Sequence, residues 1–358
     1  MSEDDKRSVK AKLPDARSIR RTDFTPHGIK STGGSKPSGL TAAEAKKRRN
    51  IGVTIAVVVV LAVGGVVTYV ATRPAPEIKV SGRFNAAPTI TIPKSSDLKP
   101  GKKLVVKTLI QGTGATLAKG DTAFVKAAGY DWTSTSSKKL PFTYATAAAI
   151  PVGQSSQVLT GLLNSLPGKK VGTRMLIEMP PADGYGAQGN SSLGVAAADS
   201  LVFVVDVVGT VNKNTVASGT PQPLTDPKLP TVSPGTGTPT ITIPKNAPPS
   251  TTTAKVLIQG NGATVAKGQT LAVNYHGVVW STGKVFDSSF TKGTPASFPI
   301  GTGGVIPGWD KTLVGQKVGS RILLMIPPVD GYGKTGNPQG GIKGTDTLVF
   351  VVDLLGAY

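Results

Sequence analysis

At 358 residues the chain has room for two or three domains. It contains no cysteine, which excludes disulfides, thiolate catalysis and zinc–thiolate sites, and its two histidines, His27 and His276, exclude a histidine-rich metal centre. The 40 Lys and Arg against 20 Asp and Glu give a net charge of +20, but it is spread along the chain without a basic stripe interleaved with aromatics, which favours loose attraction to anionic lipid or wall polymer and argues against nucleic-acid binding.

Residues 1–50 are polar, rich in Lys, Arg, Ser and Gly, and show no apolar period, so a disordered basic tail is expected. Residues 51–72, IGVTIAVVVVLAVGGVVTYVAT, contain no charge and match the roughly 20 apolar residues that a bilayer-crossing helix needs. Lys46, Lys47, Arg48 and Arg49 stand before this run, with a lone Arg73 after it. The positive-inside bias predicts a single-pass anchor in the cell membrane, with the N-terminus cytoplasmic and the rest of the chain extracytoplasmic. The run is too long for a signal-peptide core and no A-x-A site follows, so a retained anchor is expected. Residues 73–86 read as a short stalk.

Two copies of one domain follow, expected over 87–208 and 239–358. QGTGATLAKGDTAFVKAAGYDW recurs as QGNGATVAKGQTLAVNYHGVVW, KKVGTRMLIEMPPADGYG as QKVGSRILLMIPPVDGYG, and DSLVFVVDVV as DTLVFVVDLL. Residues 209–238 between them are rich in Pro, Thr and Ser and predict an extended, semi-stiff linker. PTITIPK heads each copy, at 88–94 and 239–245, and reads as a short edge strand or a docking strap. Within each copy, strand signals dominate: TLAVNYHGVVW is β-branched and aromatic, and RILLMIPP and DTLVFVVDLL are apolar runs of strand length. GWDKTLVGQKVG is the helix candidate, with Trp309, Leu313 and Val314 on one side and Gly315 as a stop. Several strands and one short helix predict an α+β domain, an antiparallel sheet covering its apolar face with that helix.

The copies differ at informative positions. The second has Tyr275, Trp309 and the Phe286–Asp287 pair where the first has Ala127, Leu162 and the loop KLPFTYA. Shared positions build the fold, so the extra aromatics mark a pocket. Trp132 and Trp280 occur in both copies and read as structural, Phe350 is matched by Phe203 and is at least partly so, and the shared Tyr185 and Tyr332 can fix a loop as well as meet a ligand. His276 neighbours Tyr275 on a strand and reads as a surface residue on the opposite face. GYGKTG resembles the end of a phosphate loop, but Pro328 stands where its first glycine is needed, and the GTG and GNG pairs read as turns.

Five fragments of the second copy, GNGATVAKGQTLAVNYHG, FDSS, VIPGW, GYG and TLVFVVDLL, resemble in order and spacing the FKBP-type peptidyl-prolyl cis-trans isomerases. The whole chain is similar to a bacterial, membrane-anchored tandem member with a degenerate first domain. The resemblance implies two FKBP-like domains, each a curved antiparallel β-sheet wrapped around one short α-helix, catalysis of rotation about the bond before proline, no cofactor or metal, proline-containing polypeptide clients, and FK506-type macrolides as ligands. It implies Trp309 as the floor under the proline ring and Tyr275, Phe286 and Phe350 as walls. Val305 and Ile306 would form the rim, with the Ile306 N–H as a donor, and Asp287 and Tyr332 would be the polar contacts. An aromatic common in the family just after the proline is Ala296 here, the basic residue after FDSS is Lys292, and a frequent histidine after GYG is Asn337, changes that bear on substrate preference and macrolide affinity.

The chemistry also follows from the residues. An unaided prolyl bond turns over in tens to hundreds of seconds. The half-rotated imide has lost its resonance and is less polar than the planar ground state, so an apolar, water-poor cavity favours it. This needs ring-lined walls and one or two donors for the flanking carbonyls, and no nucleophile. The expected activity is isomerisation of Xaa–Pro bonds in exported proteins by the second copy. The alternative is a membrane-anchored binding, chaperone or scaffold module that holds proline-bearing peptides without turnover. The intact Trp309 and Phe286–Asp287 pair favour the enzyme, and the altered first copy favours binding.

Overall fold

The computed structural model describes residues 75–94, 96–153 and 158–358. The tail expected over 1–50, the membrane helix expected over 51–72 and the start of the stalk lie outside the described residues; among the described ones, no helix is long and apolar enough to cross a membrane.

The first repeat begins with a hairpin of β1 (Lys79–Ser81) and β2 (Thr89–Thr91). The expected stalk is therefore partly folded, because Ile78 is buried alongside Ile90. Then come β3 (Val105–Ile110), β4 (Thr122–Trp132), β5 (Ser137–Lys139), β6 (Ala148–Pro151), the helix α1 (Thr160–Ser165), β7 (Arg174–Met179) and β8 (Ser200–Val211). They form an antiparallel sheet in the order β3-β7-β8-β4-β5, with β6 also paired to β4.

Residues 209–238 join the repeats, but not as an open linker. They contain β9 (Gly219–Pro221) and β10 (Thr231–Val232), which pairs with β11 (Ile241–Thr242) in a second hairpin. The prolines that suggested an open chain are interspersed with apolar residues, Leu224, Leu229 and Val232, and these pack on the second repeat. Its elements are β12 (Thr253–Gly260), β13 (Thr270–Val279), β14 (Val285–Ser288), the short helix α2 (Ser289–Lys292), β15 (Ala296–Pro299), the helix α3 (Pro307–Leu313), β16 (Arg321–Ile326) and β17 (Leu348–Ala357). The sheet order is β14-β13-β17-β16-β12-β9, with β15 paired to β13, so the connection supplies an edge strand.

Alternation along the strands divides each sheet into two apolar faces. In the second repeat Val273, Tyr275, Ile322, Leu324, Ile326, Phe350 and Val352 face inward, onto Trp309 and Leu313 of α3. Val278, Trp280, Leu323, Met325, Val349 and Val351 face outward and are covered by Leu229 and Val232 of the connection and by Ile241 and Ile243 of the PTITIPK segment that follows it. The first repeat repeats this plan, with Ile78 and Ile90 over Trp132, Leu176, Val202 and Val204. The PTITIPK segments are thus parts of docking straps.

A buried ion pair pins each strap. The Arg174 Nε donates to Asp206 Oδ1 at 2.6 Å, and its Nη1 and Nη2 donate to the Gly82 carbonyl at 2.9 Å and those of Arg83 and Ala86 at 2.8 Å. Asn85, held at φ 59 in the turn, donates its backbone N–H to Asp206 Oδ2 at 2.6 Å. In the second repeat Arg321 Nε donates to Asp353 Oδ1 at 2.6 Å, and the guanidinium also reaches the carbonyls of Gly235 and Gly237.

The repeats touch through the ends of β8 and β17. Phe124 and Tyr358 stack with centroids 4.3 Å apart, Ala272 and Leu355 are buried beside them, and Thr270 Oγ1 donates to the Ala147 carbonyl at 2.6 Å. Gly209 is required here, since a Cβ would lie 1.8 Å from the Tyr358 ring.

Two outcomes follow. Asp353→Asn leaves Arg321 charged and buried without its counter-ion, and lowers unfolding stability by about 3–5 kcal/mol in a denaturant titration. Tyr358→Ala removes the inter-repeat stack, and calorimetry then resolves the melting of the two repeats into separate transitions.

Candidate active site

The inner face of the second sheet and α3 enclose a cavity of about 450 Å³. Each expected residue lines it. Tyr275 comes from β13, Phe286 and Asp287 from β14, Phe350 from β17, Val305 and Ile306 from the turn entering α3, Trp309 from α3, and Tyr332 from the loop after β16. Three residues that sequence reasoning missed also line it: Phe298, Gly303 and Gly304.

The local sequence explains the placement. Pro307 opens α3 at its first turn, where a missing N–H costs nothing. Ile306 caps that turn with extended backbone, its carbonyl accepting from the Trp309 N–H at 2.9 Å, so its own N–H stays outside the helical ladder. The helix ends at Leu313, with Val314 extended and Gly315 at φ 88. Asp310 accepts from the backbone N–H groups of Gly301 and Gly303 at 2.6 and 2.7 Å, tying the loop that forms the rim to the helix.

Trp309 is the floor. It is 4 % exposed and meets Tyr275, Phe298 and Phe350 edge-to-face at 5.5, 5.7 and 5.3 Å. Phe286 stands against Phe350 at 5.3 Å. The last two rings close over Gly277, where a Cβ would come within 2.6 Å of Phe286. The Trp309 Nε1–H is buried without a partner, a defect that costs roughly 1–3 kcal/mol of stability. Phe298 occupies the same face of β15 as Ala296, two residues on, and so supplies a ring where the expected aromatic is absent.

The polar side of the cavity is one network. The Tyr275 hydroxyl donates to Asp287 Oδ2 at 2.5 Å, and Asp287 Oδ1 accepts from the Ser288 N–H at 2.8 Å and from Lys292 Nζ at 2.5 Å. Burial alone would raise the Asp287 carboxyl, but hydrogen bonds from Lys292 and Tyr275 outweigh it and hold the group below its ordinary value. Burial, and then the bond to Asp287, push the Tyr275 hydroxyl well above its ordinary value. Asp287 is therefore a fixed anion and Tyr275 a fixed donor, which suits orientation and does not suit proton transfer. Tyr332 is 38 % exposed and stands at the mouth.

His276 is not a surface residue. It is buried, its Nδ1 lies 3.0 Å from Ser288 Oγ, and burial lowers its pKa. It shares the outer face with Val278 and Trp280, which the connection covers.

In the first repeat Ala127 and Leu162 stand half-buried in the core at the positions of Tyr275 and Trp309. Phe142 packs on Phe203 at 5.7 Å, much as Phe286 does on Phe350, but Thr143 follows it in place of an aspartate.

A family model described as FKBP-type peptidyl-prolyl cis-trans isomerase matches residues 114–208 and 262–355. The chain is 43 % identical over 117 residues to an FK506-binding protein of Streptomyces anulatus, covering 33 % of this chain and 94 % of that one. It is 39 % identical over 121 residues to a probable FK506-binding protein of Corynebacterium glutamicum, covering 33 % and 98 %. The crystal structure of AtFKBP13 matches at 34 % identity over 31 % of this chain and 96 % of that one, with a TM-score of 0.29.

Lys292→Ala raises the Asp287 pKa, read by carbon-detected NMR titration. The carboxyl is depressed in the folded state, so its contribution to stability is present above the unfolded pKa and is lost as pH falls through the folded one. The stability gap between wild type and variant therefore closes on acidification, and it is modest because Lys292 is exposed.

Proposed function

Because the chain belongs to the family of FKBP-type peptidyl-prolyl cis-trans isomerases, we propose that turnover takes place in its second repeat, on Xaa–Pro bonds of proteins exported across the membrane that anchors it. The observation that supports this reading is Trp309. The fold packs a leucine in the same place in the first repeat, so the tryptophan serves something other than packing. Around it, four rings line a cavity of a size to take a prolyl residue.

The proline ring rests on Trp309 between Tyr275, Phe286, Phe298 and Phe350. The Ile306 N–H and the Tyr332 hydroxyl hold the carbonyls that flank the imide. In the planar imide the C–N bond has partial double-bond character and a large dipole. Rotation breaks that resonance, and a cavity without water raises the planar forms relative to the twisted one. Each ~1.4 kcal/mol of this difference speeds the reaction about tenfold. Asp287, held as an anion by Lys292 and Tyr275, fixes the tyrosine wall and the polar edge of the cavity.

Residues 51–72 with the basic cluster before them support a single-pass anchor that leaves both repeats outside the cytoplasm, where exported chains meet slow prolyl steps. The first repeat, with Ala127 and Leu162, serves as a degenerate copy that supports the second. FK506-type macrolides would enter the same cavity as the proline ring.

In the full chain, Trp309→Leu lowers kcat/KM on a proline tetrapeptide about 10- to 100-fold, a loss of ~1.4–2.8 kcal/mol; a variant with wild-type rate would falsify the assignment. Protease added to intact cells degrades both repeats and spares the N-terminal tail, whereas protection of the repeats overturns the proposed topology.

A further inference from the structure

Behind the loop that presents Tyr332 lies a second apolar recess of about 620 Å³. One wall is the turn after β16, Pro327, Pro328 and Val329. The other is Pro248 and Pro249, contributed by the strap. Val329 is 77 % exposed, the most open large apolar side chain among the described residues. It does not stand alone, because Pro248, Pro249, Pro327 and Pro328 line the same recess and make a contiguous apolar surface.

The recess is rigid. Asp330, next to Val329, accepts from Thr252 Oγ1 of the strap at 2.6 Å and from Lys311 Nζ of α3 at 2.5 Å. The strap is held again upstream, where the Trp280 Nε1–H donates to the Asn246 carbonyl at 3.2 Å. The two prolines therefore lie between two fixed points, and Asp330 joins the recess to the helix that bears the pocket floor. Proline has no N–H, so these walls offer rings and carbonyls but few donors. They suit an apolar side chain and cannot pair a peptide backbone as a sheet edge would. In the first repeat the same turn reads Pro180, Pro181, Ala182, Asp183, with alanine at the position of Val329. The exposed valine thus accompanies the repeat that has the ring-lined cavity.

The two hollows share one loop. Tyr332 lines the cavity, and the adjacent Gly333 and Lys334 line the recess. We propose that the recess is a client subsite, which takes an apolar side chain of the extended polypeptide flanking the proline being isomerised. This rests on the isomerase reading of the cavity. A chain that leaves the cavity along this shared loop would reach the recess, so long clients bind better than short ones while the chemical step is unchanged.

The test uses the full chain with Val329→Ser and Pro249→Ser, and two substrates. One is a proline tetrapeptide, too short to reach the recess. The other is a reduced, carboxymethylated protein whose refolding is limited by a prolyl bond. The expected result is tetrapeptide kcat/KM within about twofold of wild type, and refolding kcat/KM reduced about five- to tenfold with the loss in KM. Thr252→Val, which unties the strap from Asp330, gives the same split. Refolding catalysis unchanged in all three variants overturns the subsite. So does an equal fall on both substrates, which would mean that the turn merely supports the cavity. The isomerase reading is checked separately by Trp309→Leu on the tetrapeptide, so failure of one leaves the other measurable.

Discussion

The architecture depends on a guanidinium that no solvent reaches. Arg174 and Arg321 lie on the outer faces of their sheets, each in a two-pronged contact with an aspartate and almost wholly buried. Removing two charges from water costs several kcal/mol per ion, recovered only when the remaining donors and lone pairs are also satisfied. The hairpin carbonyls supply what is missing. The pair orients the strap, and the strap completes the pair, so neither is stable in this form alone. With the outer face covered, both faces of the sheet are interior, and the inner one is free to be shaped around a ligand.

That division of labour runs through the second repeat. Stability resides in the outer layer and in the aliphatic rows of the central strands. The inner layer contains features the fold alone does not require: an indole floor, a tyrosine hydroxyl and a carboxylate held charged near rings. Their counterparts in the first repeat are leucine, alanine and threonine at Leu162, Ala127 and Thr143. The comparison between copies separates residues that serve the fold from residues that serve the ligand, and it does so within one chain.

Much of the site was legible because the two copies act as an internal control. Residues differing between near-identical frames answer to something besides folding, and Tyr275, Asp287 and Trp309 do converge with Phe286, Val305, Ile306, Tyr332 and Phe350; Phe286 itself is matched by Phe142, which the loop KLPFTYA concealed. Phe298 escapes notice because the resemblance places the aromatic next to Pro295. Strand periodicity contained the signal, since 296 and 298 share a face. The straps were half legible: Ile241 and Ile243 alternate with threonines as a one-faced strand should, but the prolines between Leu224, Leu229 and Val232 disguised a packed segment as a spacer. His276 reads as a surface residue for the same reason, because the face it occupies is exposed only if nothing covers it. The inter-repeat contact left no local trace. It joins residues far apart in sequence, and Gly209 reads as an ordinary strand-end glycine until the Tyr358 ring lies on it.

The straps also fix an order of events during synthesis. Each hairpin leaves the ribosome before the sheet it will cover, and its anchor is distant: Asn85 waits for an aspartate 121 residues further on. Contacts of such long sequence separation form late, after the local elements. Until the last strand of a repeat is in place, its outer apolar face is bare and its hairpin is unattached, the state in which nascent chains aggregate. A protein whose relatives ease the slow turns of other chains therefore passes through a vulnerable interval of its own, whose length is set by how quickly a distant aspartate can be delivered to an arginine.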